Sequence, residues 1–165
     1  MSETYLRFFI YLNQLRKREY MEGVKNTICT QEFVYDFAVD GGAIGTKILS
    51  DKNGKSPIPT GAIIKDVFAK VLTACTSGGS ATVSWGNDTV TAYSGTAIAV
   101  ASLTANAVFN GATAGSLIWD DTNDAPIYLN VADATKGSVR LAIATATLLT
   151  GKIAIVVEYY LPAGA

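Results

Sequence analysis

From residue 30 almost to its end the chain alternates apolar and polar side chains with period two, a pattern that builds strands and little else. Phe33, Tyr35, Phe37 and Val39 fall on one side of such a strand, Val34, Asp36, Ala38 and Asp40 on the other, and Gly41-Gly42 breaks the run. A short strand follows at residues 45–50, then the polar turn "DKNGKSPIPTG". The alternation resumes through residues 62–74, 81–85, 89–93, 96–103, 127–131 and 139–145, with a looser stretch at 104–125. It closes with Ile153, Ile155, Val157, Tyr159 and Leu161 on one face and Lys152 and Glu158 on the other. Eight or nine short strands with turn residues between them and no central helix predict an all-β, antiparallel sandwich or barrel. Eight strands in two packed sheets would be a jelly roll.

"VLTACTSGGSATVSWG", residues 71–86, is the one stretch that invites a phosphate-binding reading. A phosphate cradle needs a helix start behind the glycines, and usually a Lys followed by Ser or Thr. Here Gly78-Gly79 is followed by more alternation, so the stretch predicts a β-hairpin.

Residues 1–26 are of another kind. They carry five basic residues (Arg7, Arg16, Lys17, Arg18, Lys25) and three acidic ones, while the remainder carries eight basic and eleven acidic. Tyr5, Phe8, Phe9, Leu12 and Leu15 repeat at helical spacing, Ser2 is placed to cap the start and Gly23 the end. The chain is expected to divide into a helical arm, residues 1–26, and a sandwich domain, residues 27–165. The arm either packs on its own domain or docks elsewhere, in which case its large side chains are anchors of the helix-in-groove kind. Met21 offers a second start position.

Composition narrows the chemistry. The 165 residues include no histidine, which excludes Ser-His-Asp and Cys-His catalysis. Cys29 and Cys75 are too few for a tetrahedral zinc site and are expected as free thiols in a reducing compartment. The net charge of −1 gives no reason to expect nucleic acid, no apolar run reaches the length of a membrane helix, and the apolar N-terminal patch precedes its basic triplet, the reverse of a secretory signal. Asp120, Asp121, Asn123 and Asp124 in "WDDTNDAP" offer oxygen ligands for calcium, but without EF-hand spacing they read as a solvated turn. Trp85, Trp119 and Tyr93 are candidates for a sugar-binding platform, although Trp85 shares a strand face with Ala81 and Val83 and is expected in the core. Asp36, Asp40, Asp66 and Glu158 are the carboxylates available for glycosidase-type acid–base work, if any two converge, and Lys65 and Lys70 read as edge or surface residues. No enzyme activity and no cofactor are expected.

The order of signals from Phe33 onward, "YDFAVDGGAIGTKIL", then "IPTGAIIKDVFAKVLTACTSGGSATVSWG", "TAIAVASL" and "APIYLNVADATKGSVRLAIATATLLTGKIAIVVEYYLP", resembles small decoration, cement or head-fibre proteins of tailed bacteriophages. The resemblance covers residues 33–162. It implies a jelly-roll fold, a homotrimer, the major capsid protein as partner, and a virion location on the capsid surface after synthesis in the host cytoplasm. On that reading Tyr5, Phe8, Phe9, Leu12, Arg16, Lys17 and Arg18 form a capsid-binding arm. The alternative is a carbohydrate-binding, lectin-like module of a virion fibre or adhesin.

Overall fold

A computed structural model describes residues 27–49, 57–87, 93, 96–110, 119–120, 125–126, 129–130 and 137–161. Its elements in chain order are β1 (Thr27–Asp36), a one-turn helix α1 (Phe37–Asp40), β2 (Gly45–Ile48), β3 (Ile63–Ser77), β4 (Thr82–Gly86), β5 (Ile98–Ala99), a 3₁₀ turn (Val100–Ser102), β6 (Val108–Asn110), β7 (Trp119–Asp120), β8 (Ala125–Pro126), β9 (Leu129–Asn130), β10 (Arg140–Ala144) and β11 (Leu148–Leu161). The expected N-terminal helix, residues 1–26, lies outside the described residues.

One sheet runs β1-β11-β3-β6, with β9 also pairing β3, and the other runs β2-β10-β4-β5; every pairing is antiparallel. We call them the long and the short sheet. The chain passes from one to the other between β1 and β2, β2 and β3, β3 and β4, β5 and β6, β9 and β10, and β10 and β11. First and last strands lie side by side over ten residue pairs, from Thr27 opposite Leu161 to Asp36 opposite Lys152. This is the winding of an eight-stranded jelly roll. The small hairpin β7–β8 and strand β9 are additions between its sixth and seventh strands.

The core is the set of residues that the alternation marks. Phe33, Tyr35, Val67, Ala69, Val71, Ile153, Ile155 and Val157 from the long sheet meet Val83, Trp85, Leu141 and Ile143 from the short one in one buried cluster. Trp85 on β4 and Phe109 on β6 close the gap between sheets, ring centroids 5.8 Å apart in an edge-on arrangement.

Several expectations are corrected. Gly78-Gly79 does not turn a hairpin: β3 and β4 pair with different neighbours in different sheets, so these glycines carry the chain across the sandwich. Alternation marks a strand's two faces but not its partner. Phe37 and Val39 leave the strand they were expected to continue, because Asp36 caps a helical turn by accepting a hydrogen bond from the Ala38 N–H at 3.0 Å. Residues 96–103 hold a two-residue strand and a 3₁₀ turn in place of a long strand. Within the stretch expected to be loose, Val108–Asn110 forms a strand that pairs with β3.

Candidate functional site

The anchors and basic residues of the expected arm, Tyr5, Phe8, Phe9, Leu12, Arg16, Lys17 and Arg18, lie outside the described residues. What the structure gives is their point of attachment. β1 begins at Thr27, opposite Leu161, so the chain enters the sandwich at the end where β11 leaves it.

The four candidate carboxylates gather in two places. At the end of β1, the Asp36 N–H donates to Asp40 Oδ2 at 2.8 Å, and Lys152 Nζ meets Asp36 Oδ2 at 3.0 Å. The Lys152 hydrogen bond, with help from the Ala38 N–H, holds the Asp36 carboxyl below its ordinary pKa. Towards the end of the long sheet where the chain enters, Asp66 on β3 lies opposite Glu158 on β11, and Lys65 Nζ reaches Glu158 Oε2 at 3.4 Å. A β-bulge assembles this group: Asp66 pairs with Glu158 and Ile64 with Tyr159, so Lys65 is the extra residue. Ile64 and Val67 point inward on either side, leaving Lys65 and Asp66 both outside the core. Burial and the facing Glu158 raise the Asp66 pKa, while the Val67 N–H, which donates to Asp66 Oδ1 at 2.7 Å, opposes the rise. Each of these carboxylates has a structural partner, a capping N–H, a lysine or a backbone amide.

Of the three aromatic residues proposed for a platform, two belong to the core, and the side chain of Trp119 lies outside what is described. Trp85 and Tyr93 are both buried, and Tyr93 donates its backbone N–H to the Trp85 carbonyl at 2.8 Å. β7 and β8 pair Trp119 with Pro126 and Asp120 with Ala125, while residues 121–124 of the acidic turn are outside the described residues. Among the described residues, no group of three or more His, Cys, Asp or Glu is placed to hold a metal ion, and no helix is long and apolar enough to cross a membrane.

The two thiols are far apart. Cys29 is the strand partner of Tyr159, whereas Cys75 packs against Gly151. Eight residues of β11 separate those positions, about 26 Å of strand, far beyond the reach of a disulfide. Cys75 is buried, and burial pushes its thiol pKa up to about 11.

The surface that sequence reasoning missed is one end of the sandwich. There the Leu148 N–H donates to the Gly42 carbonyl at 2.9 Å, Ser77 Oγ to the Thr147 carbonyl at 2.7 Å, the Val100 N–H to the Ala81 carbonyl at 3.0 Å, the Cys75 N–H to the Leu103 carbonyl at 3.0 Å and the Asn106 N–H to the Val71 carbonyl at 2.8 Å. These bonds tie four chain segments into one continuous end. No charged residue falls in residues 41–46, 71–86, 96–110 or 141–151, and the charges at this end are Asp40 and the Asp36–Lys152 pair beside α1. At or beside it lie Val39 (72% exposed), Ile44 (57%), Leu149 (54%), Leu72 (42%) and Val108 (64%). The signal was present in the sequence as an uncharged run from residue 89 to residue 119, but nothing in it told which segments would meet.

No protein-family model matches the chain, and no curated protein does. Solved structures do. A chain of the cyanophage Pam1 capsid asymmetric unit aligns over 82% of this chain and 86% of its own length, with 16% identity and a TM-score of 0.52. The architecture is one found in a phage capsid. Chains from the acid-stable capsid of Helicobacter pylori bacteriophage KHP30 (19% identity, 82% and 89% covered, TM-score 0.41) and from the capsid of Ralstonia phage GP4 (14%, 81% and 84%, TM-score 0.44) also match.

Proposed function

We propose that this chain is a structural virion protein: a decoration or cement subunit that binds the outer surface of a phage head and stabilises it. The observation that carries the reading is the likeness to a chain of the Pam1 capsid over most of both chains. The missing histidines and the structural partners of the four carboxylates accord with a protein whose work is binding. The lectin reading loses two of its three aromatic residues, since Trp85 and Tyr93 serve the core.

In this account the sandwich, residues 27–165, is the body, and residues 1–26 are an arm that reaches the major capsid protein. Tyr5, Phe8, Phe9 and Leu12 are its apolar anchors, and Arg16, Lys17 and Arg18 steer it towards an acidic surface. A specific interface buries roughly 800 Å² on each partner. Linking three copies raises the effective concentration of each arm, so that modest single contacts add to firm attachment. The benefit to the particle is a clamp across neighbouring capsid subunits that resists internal pressure.

The test is co-sedimentation of purified protein with heads that lack it. The full chain is expected to saturate the heads, and Phe8→Ala with Phe9→Ala to reduce occupancy at least tenfold without altering strand content. Failure of the full chain to sediment with heads would end the proposal.

A further inference from the structure

We propose that residues 1–26 fold back over the outer face of the long sheet in the free subunit, and that the head surface takes over their apolar side chains on attachment. The inference rests on the reading of these residues as a helical arm, and adds where the arm lies before it is used. The stripe of Tyr5, Phe8, Phe9 and Leu12 is a large apolar surface for a chain of this size to leave in water. The sandwich offers it a surface of the same kind, on the sheet whose edge strand the arm leads into.

The outer positions of the long sheet are those that alternate with the core residues Phe33, Tyr35, Ala69, Ile153, Ile155 and Val157. On a sheet face turned to water such positions are ordinarily polar. Here Val34 pairs with Ala154, and Val156 with Phe68 in the adjoining row, while Val108 lies beyond Lys70 in the first. Val34, Val156 and Phe68 are half-buried, and Val108 is 64% exposed. Charges bound this patch. The Asp36–Lys152 pair closes one end, and Asp66 and Glu158 with Lys65 close the other, towards the chain entry, with Glu32 beside them on β1. Lys70 is the charge within the patch; it is exposed, so its alkyl stem can lie along the apolar surface with the ammonium in water.

Length and charge choose the occupant. Gly23 ends the expected helix just before Thr27, which stands opposite Leu161. A helix folded back from there along β11 advances about 1.5 Å per residue, and the strand beneath it about 3.4 Å. Counted from Gly23, Lys17 is then about 9 Å along, and Glu158, counted from Leu161, about 10 Å. Leu12 and Phe8 come at about 16 Å and about 22 Å, against about 17 Å for Val156 and about 24 Å for Ala154. One register sets the basic triplet Arg16-Lys17-Arg18 over the acidic group and the apolar anchors over the apolar patch. The arm carries five basic residues against three acidic ones, and on the face below Glu32, Asp66 and Glu158 outnumber Lys65.

Unfolding of the full chain in denaturant, followed through the buried Trp85, tests this without heads, so its failure and that of the capsid reading are distinguishable. Phe8→Ala with Phe9→Ala is expected to raise the unfolding equilibrium constant by about tenfold or more, through lost apolar contact from two large side chains. Val156→Thr with Phe68→Thr, which keeps strand propensity, is expected to act in the same direction. The four changes together should cost little more than the larger of the two pairs, because both pairs remove one contact. Arm changes that leave unfolding unaltered would overturn the proposal. So would effects that multiply in the combined variant, which would place the arm off this face, and coupling that disappears on dilution, which would put it on a neighbouring copy. If the variant at Val156 and Phe68 fails to fold, Val34→Thr takes its place in the cycle, with the same outcomes.

Discussion

Single residues show how closely the corner geometry is fitted. A Cβ on Gly42 would collide with the Leu148 carbonyl, which lies across the hydrogen bond from the Leu148 N–H to the Gly42 carbonyl. Gly42→Ala should therefore cost more than about 2 kcal/mol. Gly78→Ala, with nothing within 4 Å of the new methyl group, should be close to neutral. Chemical denaturation of the two variants makes the comparison, and equal stabilities would show that the Gly42 corner is not tightly packed. The thiols offer a second check. The raised pKa of Cys75 leaves almost no thiolate at pH 8, and its sulfur is packed against Gly151, so a thiolate-selective reagent should label at most Cys29 in the folded protein and both cysteines after unfolding. Rapid labelling of two thiols in the native state would contradict the packing.

At the scale of elements, the charged group on the β3 bulge makes a prediction about pH. The folded state raises the Asp66 pKa, so it favours the protonated carboxyl relative to the unfolded chain, and the stability this contributes is present at low pH and lost as pH rises through the raised value. Asp66→Asn keeps an acceptor for the Val67 N–H and removes the charge. It should stabilise the protein at pH 7 by less than about 1 kcal/mol, because the group is partly solvated, and the gain should vanish as pH falls below the carboxylate range. A gain that grows on acidification would refute the cause assigned here. The bulge itself was not legible in the sequence. Lys65-Asp66 between Ile64 and Val67 breaks the alternation by one residue, but only the register against Tyr159 and Glu158 shows which residue is extra. The interior of β11 was legible throughout, since Ile153, Ile155, Val157 and Tyr159 are buried as their spacing implies. So was the placement of Trp85. Partner choice was not: Gly78-Gly79 looked like a hairpin because both flanks alternate, and local periodicity carries no information about which sheet a strand joins. The helical turn of α1 was hidden for a related reason. Phe37 and Val39 keep the beat of β1, and the short-range cap from Asp36 overrides it.

The whole molecule is a jelly roll whose chain enters at Thr27, beside Leu161 where β11 ends. A chain beginning at Val24 should keep its strand content, because the core cluster is built from residues 29–161, and should lose binding to heads. Unfolding of the truncated chain would mean that residues 1–26 belong to the domain's own core. Occupancy of heads equal to that of the full chain would place the binding surface on the sandwich. The class of fold could be read from alternation and turn spacing, and the architecture is like that of a chain of the Pam1 capsid at 16% identity. In the function proposed above, this protein binds phage heads and strengthens them. The most direct measurement is the temperature at which DNA leaves heads that lack the protein, before and after saturation with the full chain. Release is expected at a higher temperature after saturation, with the gain following occupancy. Full occupancy with an unchanged release temperature would contradict it.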